Sequence, residues 1–327
     1  MIEVLRPVAR TKPIGWLISA ALLLWTCAPC PVQAQRARSF DHQLFVAIGN
    51  DDIVEVERLL QEGANVEARA TNGVTPLMTA AESGNVPLVS LLLEHGAKPT
   101  TQDEQTETAL SYAARGGFVR VVNLLAQLSN TKDKNRALFA AVEGGPVTVE
   151  VADLPNQTGQ RQNQSTEVLE SWTGTVETLL DNGAEVEARN EDGSTPLIWA
   201  ASFAQTDIFR LLILRGARIN VTDKYGNTPL IAAACQCAAA TLNSVYNVVK
   251  MLLDYGADVN ARNRDGQTAL MEASGMTGAA EILELLLSKG ADVLAKDKSG
   301  KTALTFAKAS SRADKIRVLK RALAEMR

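Results

Sequence analysis

Cys235 and Cys237, separated by Gln236, are the only cysteines beyond the first 34 residues. Thiols this close can exchange with a disulfide. A bond across one intervening residue is strained, however, and strained bonds are the labile ones. Three readings stay open: two plain thiols, a labile redox pair, or a site of cross-linking or metal capture. Histidine is scarce, with only His42 and His95. They are too far apart for metal-ligand spacing, and neither stands where it could activate a nucleophile. Gly144-Gly145 lacks the lysine and the helix start of a phosphate-cradling loop. Carboxylates are plentiful but scattered, as they are on solvated faces. The chain is therefore expected not to be an enzyme, and to use no metal and no cofactor.

Composition and charge exclude one class of partner. Of 327 residues, 46% are hydrophobic and 21% charged, the balance of an ordinary soluble chain. The formal charge is −4; without the first 34 residues, which carry three cations and one anion, it is −6. Nucleic-acid binding needs a basic field, so no nucleic-acid partner is expected.

The elements that would position any site come from a repeat. From Asn190 to Thr222 the chain reads NEDGSTPLIWAASFAQTDIFRLLILRGARINVT. Asp192-Gly193 is a turn pair. Thr195 can cap a helix, and Pro196 suits its first position. Leu197, Ala200 and Ala201 then recur at helical spacing. A second helix carries Ile208, Leu211 and Leu212, and Gly216 ends it. Thr-Pro-Leu or Thr-Ala-Leu recurs at Thr75, Thr108, Thr195, Thr228, Thr268 and Thr302. The closing Gly-Ala recurs at Gly63, Gly96, Gly183, Gly216, Gly256 and Gly290. The spacing is 33 residues from Thr75 to Thr108 and from Thr195 to Thr228, and 34 from Thr268 to Thr302.

A period and signature of this kind resemble the ankyrin repeat family. The resemblance implies an all-α repeat solenoid: stacked helix pairs, about eight of them, with β-turn fingers along one edge. It covers about Leu44 to Leu323. The family's usual histidine after Thr-Pro-Leu is missing; Met78, Ser111, Phe139, Ile198, Ile231, Met271 and Thr305 stand there instead. Something else must hold the turns.

Three stretches depart from the period. Met1 to Ala34 reads as a secretory signal: Arg6, Arg10 and Lys12 in front, an apolar run from Ile14 to Trp25, then Val32-Gln33-Ala34 before a cut at Gln35. The run is short for a membrane span. A membrane association is expected only if this segment stays uncleaved. Residues 35–327 form the repeat domain, introduced by a polar lead from Gln35 to Asp41. The fourth unit begins with a helix from Ala137 to Glu143 and is interrupted by an insert near 146–167. Within it Val147, Val149 and Val151 alternate like a short strand, and Pro155 to Thr166 reads as a loop. A smaller insert lies near Cys235 to Asn247.

In this family the finger tips and the exposed side of the first helices form a concave binding face. Carried onto this chain, that implies partner contacts at Glu104, Glu107, Glu191, Asp192, Lys224, Tyr225, Arg264, Lys298 and Lys301 on the fingers. Phe203 is the helix-side contact, and Tyr225 and Phe203 are the aromatic anchors. Trp199 is expected in the core. The expected function is that of an exported, bacterial-type scaffold in the periplasm or outside the cell, monomeric and binding another protein. Two alternatives are a redox or oxidative-stress accessory using Cys235 and Cys237, and a secreted effector.

Overall fold

A computed structural model describes residues 31–145, 172–235, 242–276 and 280–325. Among them are sixteen α-helices and no strand. They run in sequential pairs: α1 (Pro31–Gly49) with α2 (Ile53–Gln61), α3 (Pro76–Ser83) with α4 (Val86–Glu94), and α5 (Ala109–Arg115) with α6 (Val119–Ala126). Next come α7 (Thr131–Gly144) with α8 (172–181), α9 (Pro196–Ser202) with α10 (Thr206–Leu214), and α11 (Pro229–Ala234) with α12 (Leu242–Asp254). The last pairs are α13 (Ala269–Gly275) with α14 (Ala280–Ser288), and α15 (Ala303–Ala309) with α16 (Ala313–Glu325).

The Thr-Pro-Leu triplet starts the inner helices by capping them. The hydroxyls of Thr75, Thr195, Thr228 and Thr268 accept from the backbone N–H three residues on, at 3.3–3.4 Å. That satisfies a donor the first helical turn would otherwise orphan. The alanine pairs Ala80-Ala81, Ala113-Ala114, Ala200-Ala201 and Ala233-Ala234 are buried, where small side chains let neighbouring helices approach. Outer helices bury larger groups, such as Phe209 and Leu212 on α10 and Val248, Val249 and Leu252 on α12. The core therefore runs as one apolar seam along the stack, each pair covering its neighbours.

The missing histidine has a replacement. Five fingers open with an Asp or Asn whose side chain accepts two backbone N–H groups, Asp103 among them; the second unit has Ala70 there instead. Asn190 Oδ1 takes those of Asp192 (3.0 Å) and Ser194 (2.9 Å), and Asp223, Asn263 and Asp297 repeat the pattern. Successive fingers are joined by backbone bonds: Lys224 N–H to Asp192 O (3.0 Å), Arg264 to Tyr225 (2.8 Å) and Lys298 to Asp265 (2.9 Å). An arginine just ahead of the finger spans two units. Arg69 Nη1 donates to Gly73 O and Gln102 O, and Arg189 Nη1 to Gly193 O and Thr222 O.

Helices α1, α7 and α12 are longer than expected, α12 starting at Leu242 inside the stretch read as a smaller insert. Helix α1 occupies the stretch read as a polar lead and crosses the Ala34–Gln35 junction. Pro31 sits in its first turn, where its missing N–H costs nothing, and no Gly or Pro follows before Gly49. Helix α7 starts at Thr131 rather than Ala137, because Asn130 caps it by accepting Asp133 N–H at 2.9 Å. No finger separates it from α6.

The described ends of the fourth-unit insert are tied to their neighbours. Gly145 O accepts from the buried Gln205 at 2.6 Å, and Trp172 Nε1 donates to Arg115 O at 3.0 Å. The insert itself, with Val147, Val149, Val151 and Pro155 to Thr166, lies outside the described residues, as do residues 1–30 of the expected signal. Among the described residues no helix is long and apolar enough to cross a membrane.

Candidate partner-binding groove

The fourth residue after the threonine of each triplet holds one position on the inner helices. It is Thr79, Tyr112, Trp199, Ala232, Glu272 and Phe306, and every one is half-buried. In the fifth, sixth and seventh units the sequence at this position is large, small, large. Ala232 leaves a gap that Trp199 bounds on one side and Glu272 on the other. The fingers above supply the rim. The result is an open pocket of about 660 Å³ lined by Trp199, Ala232, Cys235, Glu272, Tyr225 and Asp265 among others.

Trp199, expected in the core, packs against it and also lines the pocket. Its ring is half-buried and stands edge-on to Phe203 (centroids 5.3 Å, planes at 69°) and to Phe139 (6.4 Å, 81°). Its indole N–H is buried without an acceptor among the described residues. Phe203 thus buttresses the pocket wall and does not line it.

Four carboxylates line the pocket: Asp192, Asp223, Asp265 and Glu272. Their states differ. Asp192 forms an ion pair with Lys224, and that pair holds the Asp192 carboxyl below its ordinary range. The Lys224 ammonium also lies 5.1 Å from the Tyr225 ring centroid. Asp223 spends its carboxylate inside its own finger, accepting from the N–H groups of Tyr225 and Asn227 and from the Asn227 amide. Glu272 is different: burial pushes its carboxyl up from the ordinary value, the Cys235 thiol donates to it and opposes the shift, and Asp265 adds to it. Arg264 is the one lining cation, exposed on its finger.

Of the residues expected at the site, Asp192, Tyr225, Arg264 and Cys235 line this pocket. Lys224 stands at its edge, engaged with Asp192. Glu104 and Glu191 are exposed on earlier fingers, whereas Glu107 is half-buried and 3.6 Å from Arg115. Lys298 and Lys301 are exposed on the last finger. Cys235 is exposed at the end of α11; Cys237 lies outside the described residues. Sequence reasoning missed Glu272 and the groove position of Trp199. The recurring fourth-residue position carries that signal.

Models of ankyrin repeats match the chain over residues 171–263 and 236–325 in three-copy form, and over residues 77–126 in many-copy form. The chain belongs to the ankyrin repeat family. Repeats of this kind are generally non-enzymatic modules that bind other proteins.

Proposed function

We propose that this protein is an exported scaffold that holds one extended segment of another protein along the groove formed by its fingers and inner helices. The observation that carries this reading is the pocket between the fifth and seventh units, rimmed by exposed finger side chains. A rigid preformed surface of this kind binds without a large ordering cost.

The charges along the groove are unequal. Glu104 and Glu191 lie toward the first units, and Arg264, Lys298 and Lys301 toward the last. Lys224 contributes less than its exposure suggests, because Asp192 already neutralises it. A partner with a basic stretch followed by an acidic one fits this order. Export rests on the pattern of residues 1–34 alone: a basic front, a short apolar run and a small-residue end.

The test is capture from the exported fraction by the full chain, with mass spectrometry of what stays bound. One partner retained at moderate salt is expected, and its loss on joint reversal of Lys224, Arg264, Lys298 and Lys301 to Glu. Capture unchanged by that reversal removes the charge order; no partner at all removes the scaffold reading. Binding that survives in Cys235→Ser/Cys237→Ser separates it from a redox role. An amino terminus at Gln35 in protein recovered outside the cytoplasm is the result that export requires.

A further inference from the structure

The groove has one place where its own charges are not settled. Lys224 answers Asp192, and the Asp223 carboxylate is taken up by its own finger. That leaves Asp265 and Glu272, both contributed by the seventh unit. Asp265 is exposed on its finger next to Arg264, the one lining cation, and Glu272 is half-buried and receives the Cys235 thiol. Facing them across the gap above Ala232 is the half-buried ring of Trp199, with the half-exposed ring of Tyr225 on the rim. The pocket thus combines four carboxylates against one lining cation, two aromatic rings and room for more than one side chain.

We infer that this pocket receives an arginine side chain from the bound segment of the partner protein, its guanidinium against Asp265 and Glu272 and its plane against Trp199 or Tyr225. The inference rests on the proposed binding of an extended partner along the groove. Charge complementarity selects the cation, since carboxylates outnumber Arg264 among the lining groups: an apolar side chain would take Asp265 out of water and bury Glu272 further, and an acidic one would be repelled. Geometry selects arginine over lysine. A guanidinium is flat, weakly hydrated and forked, so it stacks on an aromatic face while donating to carboxylates at its edge; an ammonium is a compact, strongly hydrated point charge. At about 660 Å³ the cavity is of the size that holds ligands, and larger than one side chain. The flanking peptide backbone then has space beneath the fingers. Glu272 gains most. The burial that disfavours its charge in the empty groove is offset once a guanidinium lies against it.

The experiment is selection of displayed random linear peptides on the immobilised full chain, in parallel on wild type, on Asp265→Asn/Glu272→Gln and on Glu57→Gln, a carboxylate exposed on α2 away from the groove. Wild type and Glu57→Gln are expected to enrich peptides with arginine at one fixed position, and the double variant to lose that enrichment. The best peptide, resynthesised with that arginine changed to lysine or glutamine, is expected to bind wild type about tenfold more weakly as the glutamine form, with lysine between. On the double variant the arginine and glutamine forms are expected to bind alike. Peptides enriched without a fixed cation overturn the arginine pocket and leave the groove reading standing. A fixed arginine whose effect persists in the double variant places the cation elsewhere and also overturns it. No enrichment on any chain removes the groove reading, and the pocket with it. Thermal unfolding of the double variant checks that the stack is intact.

Discussion

Arg189 donates across the stack to the carbonyl of Thr222, 2.9 Å away and 33 residues further along the chain. Arg69 does the same to Gln102 O at 3.0 Å, and Arg262 to Lys296 O at 2.9 Å. Each arginine stands just ahead of a finger, and each ties that finger's base to the next unit. They do between units part of what a histidine would do within one. An exposed arginine normally contributes little, and its removal falls within a few tenths of a kcal/mol. Here Arg189→Met is expected to cost about 1 kcal/mol, the net worth of an intramolecular hydrogen bond. Arg210→Met on the exposed side of α10 is the control. Equal losses by urea denaturation would show that the bridge adds nothing.

Gly226 and Gly300 occupy the same finger position and the same left-handed backbone, at φ +80° and +77°. They differ in what lies next. A Cβ on Gly226 would come within 2.9 Å of Arg264 N and 3.2 Å of the Asn263 carbonyl carbon; one on Gly300 meets nothing within 4 Å. Alanine at either site bears the left-handed penalty of about 1–2 kcal/mol. Gly226→Ala must also push apart the bond from Arg264 N–H to Tyr225 O. It is therefore expected to lose more stability than Gly300→Ala and to widen the rim of the pocket. Equal losses would mean that the finger ladder yields freely.

Much of the stack is legible in the sequence because its signals are local. A capping threonine, a proline at the helix start and a glycine at its end each act within a few residues, so their recurrence marks out the units. The pocket is less legible, because it depends on three side chains in three units. Trp199, Ala232 and Glu272 matter as a series of sizes at one register. Read singly, Trp199 looks like core and Glu272 like a solvated carboxylate. The start of α7 was missed for a related reason: the Asn130 cap replaces the usual triplet, so the period alone gives no boundary. The fingers' arginines were also overlooked, since their acceptors are backbone carbonyls, which carry no sequence signature.

Lys315 is a buried cation, with 1% of its surface exposed, near the end of the stack. Its ammonium donates to Ala273 O at 2.6 Å and Met276 O at 2.8 Å, closing the carboxyl end of α13. Lys315→Met keeps the apolar stem and removes both bonds. It is expected to cost about 1–3 kcal/mol at neutral pH, the cost of leaving buried acceptors unmet. Burial pushes the pKa of Lys315 below its ordinary value. A folded-state value below the unfolded one means that stability is lost as pH falls through the folded value and regained toward the ordinary lysine range. Wild type should therefore gain on Lys315→Met as pH rises into that range. A difference that is flat with pH would show that the ammonium is not penalised by its burial.

Glu272 carries the opposite sign. Its folded-state pKa is raised, first by burial, with the Cys235 thiol opposing and Asp265 reinforcing the shift; Arg264, Asp192 and Asp223 line the same pocket. A group whose folded pKa lies above its unfolded value stabilises the fold below the unfolded value. That contribution is lost as pH rises through the folded one. Above the unfolded value the burial of this carboxyl therefore costs the fold stability. Glu272→Gln, which keeps the shape and drops the charge, should melt near wild type at pH about 4 and above it at pH about 7. The same substitution should weaken the arginine-bearing peptide. Calorimetry across that pH range decides it: a Glu272→Gln melting difference that does not grow with pH would show that the charge imposes no burden.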